Sequence, residues 1–154
     1  MLKEVRRGLA ETLRVGLPTA RVLPAPPVVL EWPEGGGPLV WVRPADPWVR
    51  AYLTFSDAGR GTLYYEIVVA LPPTDSDDLD VWFSAMDDLV DPLNESGTIL
   101  AALRADDTLG ISDFQCSAEV MLEDVQAPDV AALGELNAAG FVAVVPVQII
   151  VKRS

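Results

Sequence analysis

Few side chains in this sequence could do chemistry, and their types exclude more than they permit. The 154 residues include no histidine and a single cysteine, Cys116. Without histidine there is no Ser-His-Asp or Cys-His relay, no imidazole metal ligand and none of the commonest general base near neutral pH. Around the cysteine, Phe114, Cys116, Ala118, Val120 and Leu122 alternate with Gln115, Ser117, Glu119, Met121 and Glu123. That alternation predicts a half-buried strand with Cys116 on its inward row, and no lysine stands nearby to favour a thiolate. A buried, inert thiol is the better reading than a nucleophile. A lone cysteine also rules out an internal disulfide and a cysteine-based zinc cage.

Carboxylates are plentiful but poorly patterned for catalysis. Asp75-Ser76-Asp77-Asp78-Leu79-Asp80 resembles the opening of a calcium loop. The alternate-ligand pattern fails at Leu79, however, no glycine follows, and Met86 stands where the bidentate glutamate belongs. The cluster reads better as a helix N-terminus, where carboxylates oppose the positive end of the dipole. Asp87-Asp88 and Asp106-Asp107 carry nothing that separates a catalytic pair from a solvated helix face or turn. Gly35-Gly36-Gly37 lies between Pro33 and Pro38 with no Lys-Ser or Lys-Thr after it, so it supports no phosphate loop. Trp32, Trp41 and Trp48 suit either an aromatic binding surface or the end of a core, the second being favoured. No enzymatic activity, cofactor or metal is expected.

Composition points to one folded domain spanning residues 1–154. Half of the residues are apolar and 22% are charged, too hydrophobic a balance for disorder. The longest apolar stretch, Phe141 to Val151, is interrupted by Pro146 and Gln148 and falls far short of the roughly 20 residues that span a bilayer. The first residues lack the uninterrupted apolar run of a signal peptide, so a product of the cytoplasm with no membrane partner is expected. A formal charge of −12 opposes tight nucleic-acid binding, which needs clustered cations.

Periodicity then places the elements. Leu2, Val5, Leu9 and Leu13 form one stripe of an opening helix that ends near Gly16 and Pro18 and is weakened by Gly8. Lys3, Arg6, Arg7, Arg14 and Arg21 make this end cationic. Residues 17–47 are proline-rich and irregular, with only short or edge strands at Val28-Leu30 and Leu39-Val42. A hairpin follows, with Val49, Ala51, Leu53 and Phe55 on one strand and Leu63, Tyr65, Ile67, Val69 and Leu71 on the other.

Thr74 or Ser76 can cap the next helix, whose stripe of Leu79, Trp82, Phe83, Met86, Leu89 and Val90 predicts the central core helix. A short helix spans about Gly97 to Ala105. Two strands close the chain, the last apolar on both faces, which suits a central position or a second face covered by another chain. The segment between them, Asp124 to Gly140, is expected either to form a short covering helix or to reach a neighbour. The order of helix, strands, two helices and two strands gives an α+β fold, a mainly antiparallel sheet with helices on one face.

Gly97-Thr98-Ile99-Leu100-Ala101-Ala102-Leu103, Ala105-Asp106-Asp107-Thr108-Leu109-Gly110 and the closing run from Gly140 to Val151 resemble the tail terminator proteins of long-tailed, siphovirus-type actinobacterial phages. With the hairpin strand at Leu63 to Leu71 and the helix after it in matching order, the resemblance covers about residues 48–152. It implies a structural virion protein of the phage neck. Such a protein forms a ring, usually of six copies, that caps the tail tube and joins it to the head-closure or connector protein, with DNA passing through the lumen unbound. It implies no catalytic residues. The alternatives are a head-closure or other neck connector protein and, from another class, a small ligand-binding domain using the tryptophans.

A ring needs one patch to meet a different patch on the next copy. Arg6 and Arg7 on the first helix and Asp77 and Asp78 on the acidic one are candidates for such a pair. Val125, Val130, Leu133 and Leu136 are candidates for an apolar contact with a subunit or partner.

Overall fold

The stripe of Leu2, Val5, Leu9 and Leu13 becomes the inner face of α1 (Leu2–Gly16), in which Val5, Leu9 and Leu13 are fully buried. Each such side chain contributes about 1.5–3 kcal/mol, which holds a helix that would be marginal in isolation. The computed structural model describes residues 1–51, 59–72, 79–132 and 139–153. After α1 come β1 (Arg21–Leu23), β2 (Leu39–Ala51), β3 (Arg60–Leu71), α2 (Leu79–Val90), α3 (Ile99–Ala105), β4 (Gln115–Val120), β5 (Gln126–Ala132) and β6 (Ala139–Lys152).

The strands form one mixed sheet in the order β1-β2-β3-β6-β4, with β5 also paired to β6. Only the β1–β2 pair is parallel, and the rest are antiparallel. Six strands fill five positions because β4 and β5 share one edge of β6, β4 along Val147–Lys152 and β5 along Ala139–Val144. Between them the chain adds a turn of 3₁₀ helix, Leu122–Asp124, while the Met121 amide holds the Pro146 carbonyl at 2.9 Å. The fold is α+β, as the order of periodicities implied.

One face of the sheet carries the main core. Leu63, Tyr65, Ile67 and Val69 of β3 join Phe141, Val145, Val147 and Ile149 of β6 against the inner sides of all three helices. Two glycines let the layers approach. A Cβ on Gly16 would stand 2.3 Å from the Ala102 Cβ of α3, and one on Gly8 would stand 2.7 Å from the Leu109 carbonyl oxygen. Gly8 therefore weakens α1 locally but admits the turn that follows α3. That helix begins at a buried cap, where the Thr98 hydroxyl accepts a hydrogen bond from the Ala101 amide at 3.1 Å.

The opposite face is apolar at one end only. Leu39, Trp41, Val68, Ala70 and Val144 cluster there beneath Leu23, Leu30, Trp32 and Val142. The two-faced apolar pattern of the last strand thus has two causes: β6 is central, and the proline-rich segment folds back over part of its second row.

Val28-Leu30 forms no strand, and four further expectations need correction. First, β2 runs from Leu39 through Pro44 and Pro47, far longer than its prolines suggested. A bulge that begins after Pro44, itself paired with Tyr65, takes up Pro47, and β1 covers only Leu39–Trp41, so among the described residues no outer strand requires either amide. Second, Val40 and Val42 supply its buried row, whereas Val49 is 46% exposed; Leu53 and Phe55 lie outside the described residues. Third, α2 is peripheral. Among its described side chains only Met86 is fully buried, and Val81 and Phe83 are 51% and 41% exposed. Fourth, the Asp124–Gly140 segment forms β5, whose backbone pairing with β6 replaces both the helix and the free arm. The proposed caps Thr74 and Ser76 lie outside the described residues.

Candidate interaction surface

The arginines of the N-terminal region are largely committed within the chain. Arg6 donates to the Pro24 carbonyl at 2.9 Å, and Arg14 donates to the Val22 carbonyl at 3.0 Å while pairing with Glu11. Arg21 pairs with the Glu31 carboxylate at 2.7 Å and donates to its carbonyl at 3.2 Å. A segment too proline-rich for a full ladder has its carbonyls satisfied by guanidinium forks instead. The cationic stripe read at this end is in large part a set of tethers for residues 22–31. Arg7 is exposed, and Arg6 is partly buried.

Of the other candidate contacts, Asp77, Asp78, Leu133 and Leu136 lie outside the described residues. Val125 packs partly buried against the main core. Val130 sits in β5 opposite Phe141. The tryptophans do not form one surface: Trp41 is buried, Trp32 is partly buried against the back-face cluster, and Trp48 is 40% exposed while bonding the buried Tyr65 hydroxyl.

Two exposed surfaces of opposite charge remain, and the sequence pattern singled out only one of them. The outer side of α2 presents Asp87 and Asp88 with Val81 and Phe83 at its borders. This helix is fixed to the sheet at the start of β6, where the Phe141 ring lies 5.2 Å from that of Trp82 and 5.0 Å from that of Phe83.

The far end of the same strands is basic. Pairing sets Arg60 of β3 directly opposite Lys152 of β6, and Arg50 of β2 stands opposite Thr62 in the next inward row. Arg153 follows, its amide donating to the Gly59 carbonyl at 2.9 Å. All four cations are exposed. On the helix side of this end a cleft of about 410 Å³ opens over Val49, Leu63, Phe114 and Val151. The signal missed in the sequence was register, because Arg50, Arg60 and Lys152 are distant along the chain and meet only through strand pairing.

The reactive candidates have structural surroundings. Cys116 is buried, and its thiol is pushed up to about 11, chiefly by burial and then by the negative charges of Asp107 and Asp106. The same two residues hold the turn after α3. Asp106 accepts a hydrogen bond from the Thr108 hydroxyl at 2.7 Å, and the Asp107 carbonyl accepts from the Ala118 amide at 2.8 Å.

A thiol raised from an ordinary 9.0 to about 11 should alkylate with iodoacetamide at pH 8 about a hundredfold more slowly in the native chain than after unfolding. The same shift has a stability consequence. Between about pH 9 and 11 the unfolded thiol releases its proton while the folded one keeps it, so stability falls as pH rises through that window. Native labelling as fast as unfolded labelling would contradict both expectations.

Among the described residues, no three acidic or thiol side chains converge as a metal-ligand set. No known protein family matches the sequence, and no curated protein is significantly similar to it.

Proposed function

We propose that this chain is a structural virion protein, the tail terminator that forms a ring on the finished tail tube and joins it to the connector of the phage neck. The observation that carries the reading is the resemblance of residues 97–110 and 140–151 to that family. Those stretches correspond here to α3 with its turn and to the central strand β6, so the resemblance falls on the frame of the domain and not on its periphery. A sheet that ends in an acidic surface at one side and a basic one at the other supports an assembling role, since rings need unlike patches. The charge of −12 suits a lumen that lets DNA slide without gripping it.

Tails assembled with and without this chain and imaged by negative stain test the reading. Tubes longer than wild type, with no neck ring, are expected in its absence. Tails of normal, uniform length without it would overturn the proposal.

A further inference from the structure

Parallel neighbours cannot be joined by a tight turn, so the chain between β1 and β2 has to cross one face of the sheet. The crossover is residues 24–38, and neither helix nor strand forms within it. Irregular connections longer than about 12–15 residues are uncommon in compact domains and often serve as lids or binding loops. This one runs over the back face, where Leu30 and Trp32 pack partly buried on the cluster of Leu39, Trp41, Val68, Ala70 and Val144. The cover decides the burial beneath it. Leu39, Val68 and Ala70 are 0%, 2% and 0% exposed, whereas Tyr64, Gln148 and Ile150, further along the same face, stay partly exposed.

The fastenings of this cover are few. Pro24, Pro26, Pro27, Pro33 and Pro38 have no amide to donate. Among the described residues, its backbone-to-backbone bonds run from the Gly36 amide to the Pro33 carbonyl within it and from the Arg21 amide to the Pro38 carbonyl at its root. The Arg6 guanidinium takes the Pro24 carbonyl at the start of the crossover. Across the span, Arg21 clasps Glu31 through the carboxylate at 2.7 Å and the carbonyl at 3.2 Å, with both side chains open to solvent. Val28 and Val29 point away, 89% and 67% exposed. At the far end Gly35 and Gly36 turn the chain at φ +85° and +77°, with open space where a Cβ would stand.

Segments held by few buried contacts open without global unfolding. We infer that residues 24–34 form a strap that pivots at Gly35-Gly36 and lifts off the back face as a unit, with the Arg21–Glu31 pair as its clasp. Lifting uncovers an apolar patch on β2, β3 and β6 while the helix-side core stays folded. The strap shields and releases a face of the chain's own sheet whatever the chain assembles with.

Thiol labelling of the full chain, in a Cys116→Ala background, reads the opening. Val68 and Val69 are neighbours on β3 that belong to the back-face cluster and the main core respectively. Relative to its rate after unfolding, the native Val68→Cys variant should react with iodoacetamide about tenfold or more faster than Val69→Cys, because only a larger opening bares the second position. Adding Glu31→Arg sets two like charges at the clasp and should speed Val68→Cys about threefold to fivefold while leaving Val69→Cys unchanged. The swap Arg21→Glu/Glu31→Arg should restore most of the original rate. Ala70→Cys and Ala143→Cys, again one on each face, repeat the comparison, so that one substitution loosening the fold by itself cannot decide the outcome.

Equal relative rates on the two faces in both pairs would make the crossover part of the global folding unit and overturn the strap. A charge reversal that leaves Val68→Cys as slow as before would overturn the clasp.

Discussion

Replacing Gly16 with alanine should lower the melting temperature by roughly 4–8 °C, equivalent to about 2 kcal/mol. Helix propensity alone argues the other way, since alanine is favoured over glycine within a helix by about 1 kcal/mol. Geometry decides the sign. The added methyl would stand 2.3 Å from the Ala102 Cβ and 2.9 Å from its Cα, so it meets backbone as well as side chain. Relief requires α1 and α3 to move apart, opening the contact between two helices that both feed the main core. Ala102→Gly in the same chain should recover more than half of the loss, because the two positions share one contact. Thermal unfolding by circular dichroism measures both, and an unchanged or raised midpoint for Gly16→Ala would refute the close crossing.

A larger loss is expected at Phe141, where alanine should cost about 3–5 kcal/mol. The residue is 1% exposed, and its ring meets Trp82 at a tilt and Phe83 edge to face, so truncation opens a cavity and removes the aromatic anchor of α2 at once. Among the described side chains of that helix only Met86 is fully buried, with Trp82, Ala85, Leu89 and Val90 partly so, and the Phe141 contact is a large share of what holds it. Hydrogen exchange in residues 80–90 should accelerate beyond the global change, with α1 and α3 protected up to the remaining stability. Uniform acceleration across the chain would mean that α2 is not a separable element. Phe141→Leu should fall between wild type and alanine.

How far the sequence revealed this molecule depended on whether each element was decided locally. Periodicity alone placed α1, α3, β3, β4 and β6, since each turns a regular apolar row toward one core. It split β2 into two short strands, because prolines forbid a ladder only where a partner needs their amides, and Pro47 sits in a bulge that begins after Pro44, in a strand bordered by β1 only at Leu39–Trp41. β5 was illegible for the opposite reason. Residues 126–132 hold Pro128 and small side chains with no alternation, and pairing with β6 alone makes them a strand. For α2, composition misled. A broad apolar stripe implied a central helix, yet its ends stay partly exposed at the sheet's rim. The arginines of α1 announced a cationic surface in sequence, but the carbonyls they bind belong to residues 22–31, and which loop folds back is a tertiary matter. The basic end needed strand register before it could be recognised.

The prolines set into β2 and β5 have one more consequence. Half of this chain is apolar, and the run from Phe141 to Val151 is uncharged and β-rich, a composition prone to cross-β stacking that Pro146 alone interrupts. In the folded molecule that run is sealed between β3 and the β4–β5 edge. Further out, β2 carries Pro44 and Pro47 beyond β3, and β5 carries Pro128 on the other side, prolines that withhold amides a further strand would pair with. A strand adding along these stretches would find the ladder broken at the prolines, which hinders fibre growth there.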